Sequence, residues 1–211
     1  MQNPKSFLEI LSFSQKRCVW IAFAVFAFLI VAFSHFVLQE YLFLQPCEQC
    51  VYIRYAFIVL GLGCCVIALS PRSIFGLFGI FICAYALARG VLAAFMLKGI
   101  QNALQSETFV FGLKGCSLNP KFDFNLPLDV WIPTLFAPSG FCGMDLPMLN
   151  RIQMLSPMQE WFVALYADGW YLIPTLKFGT MAECALFIFV VYGVGIGILF
   201  LTNFYKKSNK I

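Results

Sequence analysis

The chain has 211 residues, of which 61% are hydrophobic and only 11% carry a charged side chain. Soluble domains use about 25% charged residues, so this chain cannot cover a water-facing surface and is predicted to be a membrane protein. Its net charge of +4 is small and dispersed, which argues against nucleic acid as a partner.

Four apolar segments are long enough to cross a bilayer, which takes about 20 residues. They are predicted at about 19–38, 51–69, 74–97 and 181–204. Helices satisfy their own backbone hydrogen bonds in lipid, so the expected fold is an all-α membrane protein. We expect a four-transmembrane-helix bundle forming a single integral membrane domain over residues 1–211. The first segment could instead be a signal peptide, but its apolar run is long and no small-residue cleavage site follows, which favours a retained anchor.

The basic residues of the short flanks predict the orientation, because cytoplasmic flanks are enriched in lysine and arginine. The connection at 39–50 has acidic Glu40 and Glu48 but no basic residue. We therefore expect both termini and the turn between the second and third spans to be cytoplasmic, with 39–50 and 98–180 facing outward. The basic residues that support this orientation are Lys5, Lys16, Arg17, Arg72, Lys206, Lys207 and Lys210.

The long outward segment contains many prolines and glycines, so it is predicted to consist largely of irregular turns. One helix is expected within it, because Ser156 to Gln159 fits a capping box with proline at the first helical position. Its apolar residues share one face, which predicts a short interfacial helix on the outer leaflet. Packing on the protein's own outer segment is the alternative. The residues of that face are Met158, Trp161, Phe162, Leu165 and Tyr166.

The nine cysteines divide by location. Five lie in or beside the spans and are expected to act as small apolar residues: Cys18, Cys64, Cys65, Cys83 and Cys184. Four lie in the outward segments: Cys47, Cys50, Cys116 and Cys142. Four cysteines allow three pairings, of which Cys47–Cys50 with Cys116–Cys142 is the simplest. A purely structural pair of disulfides is one interpretation. A zinc site is disfavoured because a second closely spaced pair is missing, so no metal is predicted.

The stretch QPCEQCVYIR places Cys47 and Cys50 at the mouth of the second span. Unpaired N–H groups and the helix dipole favour the thiolate form of a cysteine there. Arg54 follows Cys50 by four residues, so its cation is expected on the same face, one turn deeper. A cation just inside the membrane is costly without a purpose. Snorkelling of Arg54 to the headgroups is the alternative.

Arg89 is expected near the outer end of the third span, at a depth comparable to that of Arg54, and Gly90 beside it allows close helix approach. Two cations beside one thiol pair could bind an electron-rich head group. A membrane-soluble quinone would suit, because its carbonyls accept hydrogen bonds. Snorkelling is again the alternative for Arg89.

These features together resemble the DsbB family of disulfide-generating membrane proteins. The resemblance covers nearly the whole chain and includes PCEQC followed by VYIR, LPLDVWIP at 126–133 and SGFC at 139–142. The wording of PCEQCVYIRYA, GCSLNP, FNLPL and QEWFVALY is closest to the DsbI branch, which works with a dedicated DsbA-like partner, DsbL.

The resemblance implies a quinone-dependent protein-thiol oxidase of the bacterial inner membrane, with its redox loops in the periplasm. A reduced DsbA-like protein would attack the Cys116–Cys142 disulfide at Cys116, and the freed Cys142 would attack Cys47–Cys50. Cys50, beside Arg54, would pass the electrons to ubiquinone or menaquinone. DsbB itself carries a histidine near the outer end of the third span, whereas this chain has Lys98 there and a single histidine, His35, near the outer end of the first.

Two other functions are consistent with the residues alone. A non-enzymatic scaffold would use both disulfides as inert braces. A conduit that carries electrons outward would need a thiol pair on the inner side, for which only the adjacent Cys64 and Cys65 are available.

Overall fold

A computed structural model of the protein describes residues 17–71, 73–105, 116–143, 145–148 and 155–208. Lys5, Lys16, Arg72 and Lys210, which support the predicted orientation, lie outside those residues.

Three long helices come first along the chain. Helix α1 spans Arg17–Phe33 and continues as a π-helix over Ser34–Tyr41. Helix α2 spans Glu48–Leu69, and α3 spans Ile74–Gln105. All three exceed the predicted spans. Helix α2 begins before residue 51 because Cys47 caps it, and α3 continues past residue 97 because good helix formers follow there.

The outer elements follow, and then the fourth long helix. They are a 3₁₀ turn at Asp123–Asn125, α4 at Leu128–Trp131, α5 at Pro133–Phe136, α6 at Pro157–Leu165, β1 at Tyr171–Ile173, a 3₁₀ turn at Pro174–Leu176, β2 at Phe178–Thr180 and α7 at Met181–Ser208. Helix α7 runs four residues beyond the predicted end of its span, 204.

Among the residues that the structure describes, four helical stretches are long and apolar enough to cross a membrane: Arg17–Tyr41, Glu48–Leu69, Ile74–Leu104 and Met181–Leu201. Each predicted span thus overlaps one candidate membrane-spanning helix, as expected for a four-helix membrane protein. Large aromatic side chains such as Phe26, Phe81 and Phe187 are exposed on α1, α3 and α7, as lipid-facing surfaces require.

Helix α2 is the centre of the bundle. Its most apolar stretch is 67% buried, against 22% for α1 and α7 and 33% for α3. Phe57 of α2 stacks on Phe189 of α7 with ring centroids 4.3 Å apart. A Cβ on Gly90 of α3 would collide with the Phe189 ring, so this glycine does allow the predicted close approach. The side chains at the outer end of α2 are therefore held in a helix that packs against other helices on several sides.

Two of the span cysteines meet between α2 and α3. Cys64 and Cys83 are fully buried, and their Sγ atoms lie 3.8 Å apart. Gly63 and Gly79 let the two helices approach, because a Cβ on either would crowd the other helix.

A small antiparallel hairpin departs from the predicted all-α fold. Tyr171 pairs with Thr180 and Ile173 with Phe178, directly before α7. Lys177, in the connection just before β2, has a positive φ of 48°, and Gly179 within β2 has one of 77°. The β-branched and aromatic residues of YLI favour an extended backbone, which the helical interpretation of the chain did not consider.

Helix α6 lies where the capping signal predicted it. Ser156 Oγ accepts the Gln159 N–H at 3.3 Å. The Gln159 side chain, however, donates to the Tyr41 carbonyl at 2.9 Å, so it fastens α6 to the end of the π-helix. The predicted apolar face is divided: Phe162 packs toward α1, whereas Trp161 is exposed.

Candidate active site

Cys47 and Cys50 form a close pair at the start of α2, called the inner pair below. Cys47 is the N-cap residue, and its Sγ accepts the Cys50 N–H at 3.3 Å. The two Sγ atoms lie 2.6 Å apart. The helix therefore starts at the pair, and Cys50 lies in its first turn instead of before it. Cys47 is only 1% exposed and Cys50 8%, so a soluble protein cannot reach these sulfurs directly.

Cys116 and Cys142 form a disulfide, called the outer disulfide below, with Cα atoms 5.8 Å apart. Its two ends differ in accessibility: Cys116 is exposed, whereas Cys142 is buried in the same core cluster as the inner pair. The disulfide is therefore reachable from outside only at Cys116.

Residues 139–142, the Cys142 arm, are fastened to the chain just before the inner pair. The N–H groups of Ser139 and Gly140 donate to the Pro46 carbonyl at 2.9 and 3.0 Å. Ser139 Oγ bonds to Gln45 Oε1 at 2.6 Å. A Cβ at position 140 would collide with the Gln45 carbonyl, so this close approach requires glycine.

Glu48, between the two inner cysteines, is fastened to the other arm. Its carboxylate accepts the Ser117 N–H at 2.6 Å and the Tyr52 hydroxyl at 2.9 Å. Residues 116–121 are called the Cys116 arm. Sequence reasoning missed this role, although a carboxylate inside a thiol motif at the membrane surface was a signal that a partner must exist.

Arg54 lies one turn below Cys50 and is almost fully buried, so its guanidinium does not extend to the headgroups. Nε donates to Ser34 Oγ at 2.8 Å and Nη2 to the Ser34 carbonyl at 3.0 Å. Nη1 donates to Gln39 Oε1 at 2.7 Å and to the Leu135 carbonyl at 3.4 Å. All of these acceptors are neutral, so none of them compensates the positive charge of Arg54.

The π-helix at the end of α1 supplies most of these acceptors. A π-helix leaves backbone carbonyls outside the usual hydrogen-bond pattern, and such segments cluster at functional sites. Here the Ser34 carbonyl and the Gln39 side chain both turn to Arg54. Gln39 also contacts His35 Nδ1 at 3.4 Å and donates to the Thr134 carbonyl at 3.2 Å. The sequence pattern contained no signal for the π-helix.

Arg89 is engaged elsewhere. Its Nε pairs with Asp123 Oδ2 at 3.0 Å, and the Tyr85 hydroxyl bonds to the same carboxylate. The two predicted cations are thus held by different elements, Arg54 by α1 and Arg89 by the 3₁₀ turn. Lys98 pairs with Glu183 of α7 at 3.2 Å.

Asp145, three residues beyond Cys142, is a half-buried carboxyl beside α3. Gln101 Nε2 donates to its Oδ2 at 2.9 Å. Burial raises the pKa of Asp145 to about 6, although the hydrogen bond from Gln101 acts to lower it. Asp145 and Gln101 line a cavity of about 380 Å³ together with Leu104, Gly143, Trp170 and Tyr171. The cavity is thus bounded on one side by the loop that carries Cys142.

This raised pKa predicts a pH-dependent stability. The pKa of an aspartate in the unfolded chain is about 3.9, which is below its value of about 6 in the folded protein. The ionised carboxyl therefore destabilises the folded state above about pH 6. This penalty is lost below about pH 4, where both states are protonated. We expect Asp145→Asn to raise Tm by ~2–4 °C near pH 7.5 and by progressively less toward pH 4. Thermal unfolding of the detergent-solubilised protein measures this. Asp168→Asn, at an exposed aspartate of the same cavity, is the control; an equal gain at both pH extremes would contradict the assignment to Asp145.

Comparison with known proteins shows the family of the chain. A family model described as "Disulfide bond formation protein DsbB" matches residues 16–199. The chain belongs to the DsbB family. It is therefore a disulfide-generating oxidoreductase, as the resemblance of its motifs predicted.

Relatives within the DsbB family carry a more specific name. "Putative protein-disulfide oxidoreductase DsbI" of Campylobacter fetus subsp. fetus is 39% identical over 193 residues, which are 91% of this chain and 88% of the relative. "Protein-disulfide oxidoreductase DsbI" of Salmonella typhimurium is 37% identical over 185 residues, covering 85% of this chain and 82% of the relative. No solved structure matches the chain.

Proposed function

We propose that this DsbB-family enzyme is a quinone-dependent oxidase that reoxidises a periplasmic DsbA-like, DsbL-type thiol oxidoreductase. Electrons pass from the partner to Cys116 and Cys142, then to Cys47 and Cys50, and then to membrane quinone. The observation that carries the proposal is the difference in exposure across the outer disulfide. An outside thiolate can reach Cys116, and the sulfur that it displaces, Cys142, is buried with the inner pair.

The transfer takes four exchanges, each a thiolate attack on a disulfide sulfur. The partner thiolate attacks Cys116 Sγ, forming a mixed disulfide and displacing Cys142 as thiolate. Cys142 then attacks Cys47 Sγ and displaces Cys50. The second partner thiol attacks the mixed disulfide and releases Cys116, which attacks Cys142 and displaces Cys47. The partner leaves oxidised, the outer disulfide is restored, and the inner pair is a dithiol.

The inner pair is reoxidised by quinone, which when bound accepts two electrons and two protons and leaves as quinol. The residues around Cys50 fit such a group. Arg54 has five N–H donors, four of which are used in the bonds described, so one remains to donate to a carbonyl oxygen. Its cation also stabilises Cys50 as thiolate, because the two residues lie one helical turn apart.

The same function implies a placement in the bacterial inner membrane. We propose that the segments 39–50 and 98–180 face the periplasm, with both termini cytoplasmic. Trp161 and Met158 of α6 are exposed beside the outer end of α1, where aromatic and apolar side chains contact lipid headgroups. Helix α6 is therefore proposed to lie on the outer leaflet, with Phe162 anchoring it to the protein.

The experiment combines the purified enzyme in detergent, a soluble quinone analogue and a reduced DsbA- or DsbL-type protein. We expect one partner disulfide to form for each quinone reduced, over many turnovers, as followed by quinone absorbance and partner thiol titration. The scaffold alternative predicts that neither signal changes. Absence of partner oxidation with every DsbA-like protein tried, while quinone stays oxidised, would overturn the proposal.

A further inference from the structure

Glu48 is a charged group that none of the exchange steps uses. It occupies the first turn of α2 between the two inner cysteines and is only 7% exposed. A carboxylate withdrawn from water costs several kcal/mol unless hydrogen bonds satisfy it. The groups that donate hydrogen bonds to Glu48 therefore explain why a carboxylate is tolerated at this buried position.

Those groups belong to the Cys116 arm. Glu48 Oε2 accepts the N–H of Ser117, the residue next to Cys116, at 2.6 Å. Glu48 Oε1 accepts the Tyr52 hydroxyl at 2.9 Å, and the Tyr52 oxygen in turn accepts the Lys121 N–H at 2.8 Å. The carboxylate and the tyrosine, one turn apart on α2, thus fasten both ends of this arm to the helix that carries the inner pair.

The Cys142 arm is fastened differently. Its N–H groups bond to the backbone carbonyl of Pro46. These two backbone bonds involve neither a side chain nor the outer disulfide, and Ser139 Oγ adds one side-chain bond to Gln45. The Cys116 arm has a side-chain tether, so its position after the disulfide opens depends on Glu48 and Tyr52.

We propose that Glu48 is a positioning residue that keeps the Cys116 arm beside Cys142 while the outer disulfide is open. The inference rests on the proposed function and concerns the last exchange. In that step the Cys116 thiolate attacks Cys142 Sγ, the Cys116–Cys142 bond forms, the Cys47–Cys142 bond breaks, and Cys47 leaves as thiolate. The step is intramolecular, so its rate and equilibrium depend on how closely Cys116 is held to Cys142.

A carboxylate suits this task better than an amide. Both of its oxygens accept, and here each accepts a separate donor. A glutamine of nearly the same shape offers one oxygen and would direct an NH₂ group at one of the two donors. Glu48→Gln therefore removes at least one tether bond without removing the side chain's volume.

The test measures the outer disulfide alone. In a chain with Cys47→Ser and Cys50→Ser, the Cys116–Cys142 disulfide is equilibrated with glutathione buffers, with and without Glu48→Gln. We expect closure to become about tenfold less favourable, because Glu48→Gln removes at least one hydrogen bond to a charged group. A tenfold change raises the reduction potential by about 30 mV. Tyr52→Phe, which keeps the ring packed on Phe122, should act in the same direction.

Glu160→Gln is the matched control, since it makes the same chemical change at an exposed glutamate of α6. A potential that moves with neither Glu48→Gln nor Tyr52→Phe would overturn this inference alone. Failure of the wild-type enzyme to oxidise any partner would instead overturn the proposed function.

Discussion

A Cys50→Ser enzyme is expected to oxidise about one equivalent of reduced partner and then stop. The outer disulfide is intact in this variant, so the partner can still attack exposed Cys116 and leave oxidised. The inner pair can no longer form a disulfide, so the electrons stay on Cys116 and Cys142. We expect the steady-state rate to fall by at least ~10³-fold, as for loss of an essential nucleophile. Stopped-flow mixing followed by thiol trapping separates the single round from later turnover.

Cys142→Ser and Cys65→Ser complete the comparison. Without Cys142 there is no outer disulfide, so even the first equivalent should be lost. Cys65 is exposed on the surface of α2, away from the buried pair, and its replacement should leave both phases unchanged. Repeated turnover by the Cys50→Ser enzyme would contradict the assigned electron path.

The second large effect is expected from Arg54→Met. Methionine fills a similar volume but offers no cation to Cys50 and no N–H donor to a carbonyl oxygen. We expect kcat/KM for quinone to fall ~10–100-fold, as for loss of one or two bonds to a charged group. The measurement uses the inner pair reduced by a small dithiol, so that the partner and the outer disulfide do not contribute.

Arg54→Lys distinguishes charge from geometry. Lysine retains a cation but cannot reproduce the fork that reaches both Ser34 and Gln39. We expect an intermediate loss for lysine. Both variants lose the guanidinium bond to the Ser34 carbonyl. Tm is therefore measured for both, so that a loss of stability is separated from a loss of quinone reactivity. Unaltered quinone kinetics in both variants would place the acceptor site away from Arg54.

The features that could be predicted from the sequence are those that depend on residues close together in the chain. Apolar runs indicated the four spans, a Ser-Pro cap indicated α6, and PCEQC placed a thiol pair at the start of α2. Each of these depends on residues that are close in sequence. The spacing of Cys116 and Cys142 was compatible with a disulfide but did not select it over the other pairings.

The partners of the charged residues were not predictable, because they lie far along the chain. Glu48 meets a backbone N–H 69 residues away, and Arg89 meets Asp123 across the outer segment. Arg54 is satisfied by a π-helical segment of α1, whose acceptors depend on a backbone irregularity that has no sequence signature. A resemblance to relatives supplies roles for cysteines, but it does not supply these contacts.

The thiols of Cys64 and Cys83 have a practical consequence for redox assays. Their sulfurs are close and both side chains are fully buried in the folded bundle, so maleimides and other alkylating reagents cannot reach them. Labelling of the native enzyme should therefore omit both, and labelling after denaturation should include them. A thiol titration of the denatured enzyme would therefore count these two thiols, which a titration of the native enzyme omits.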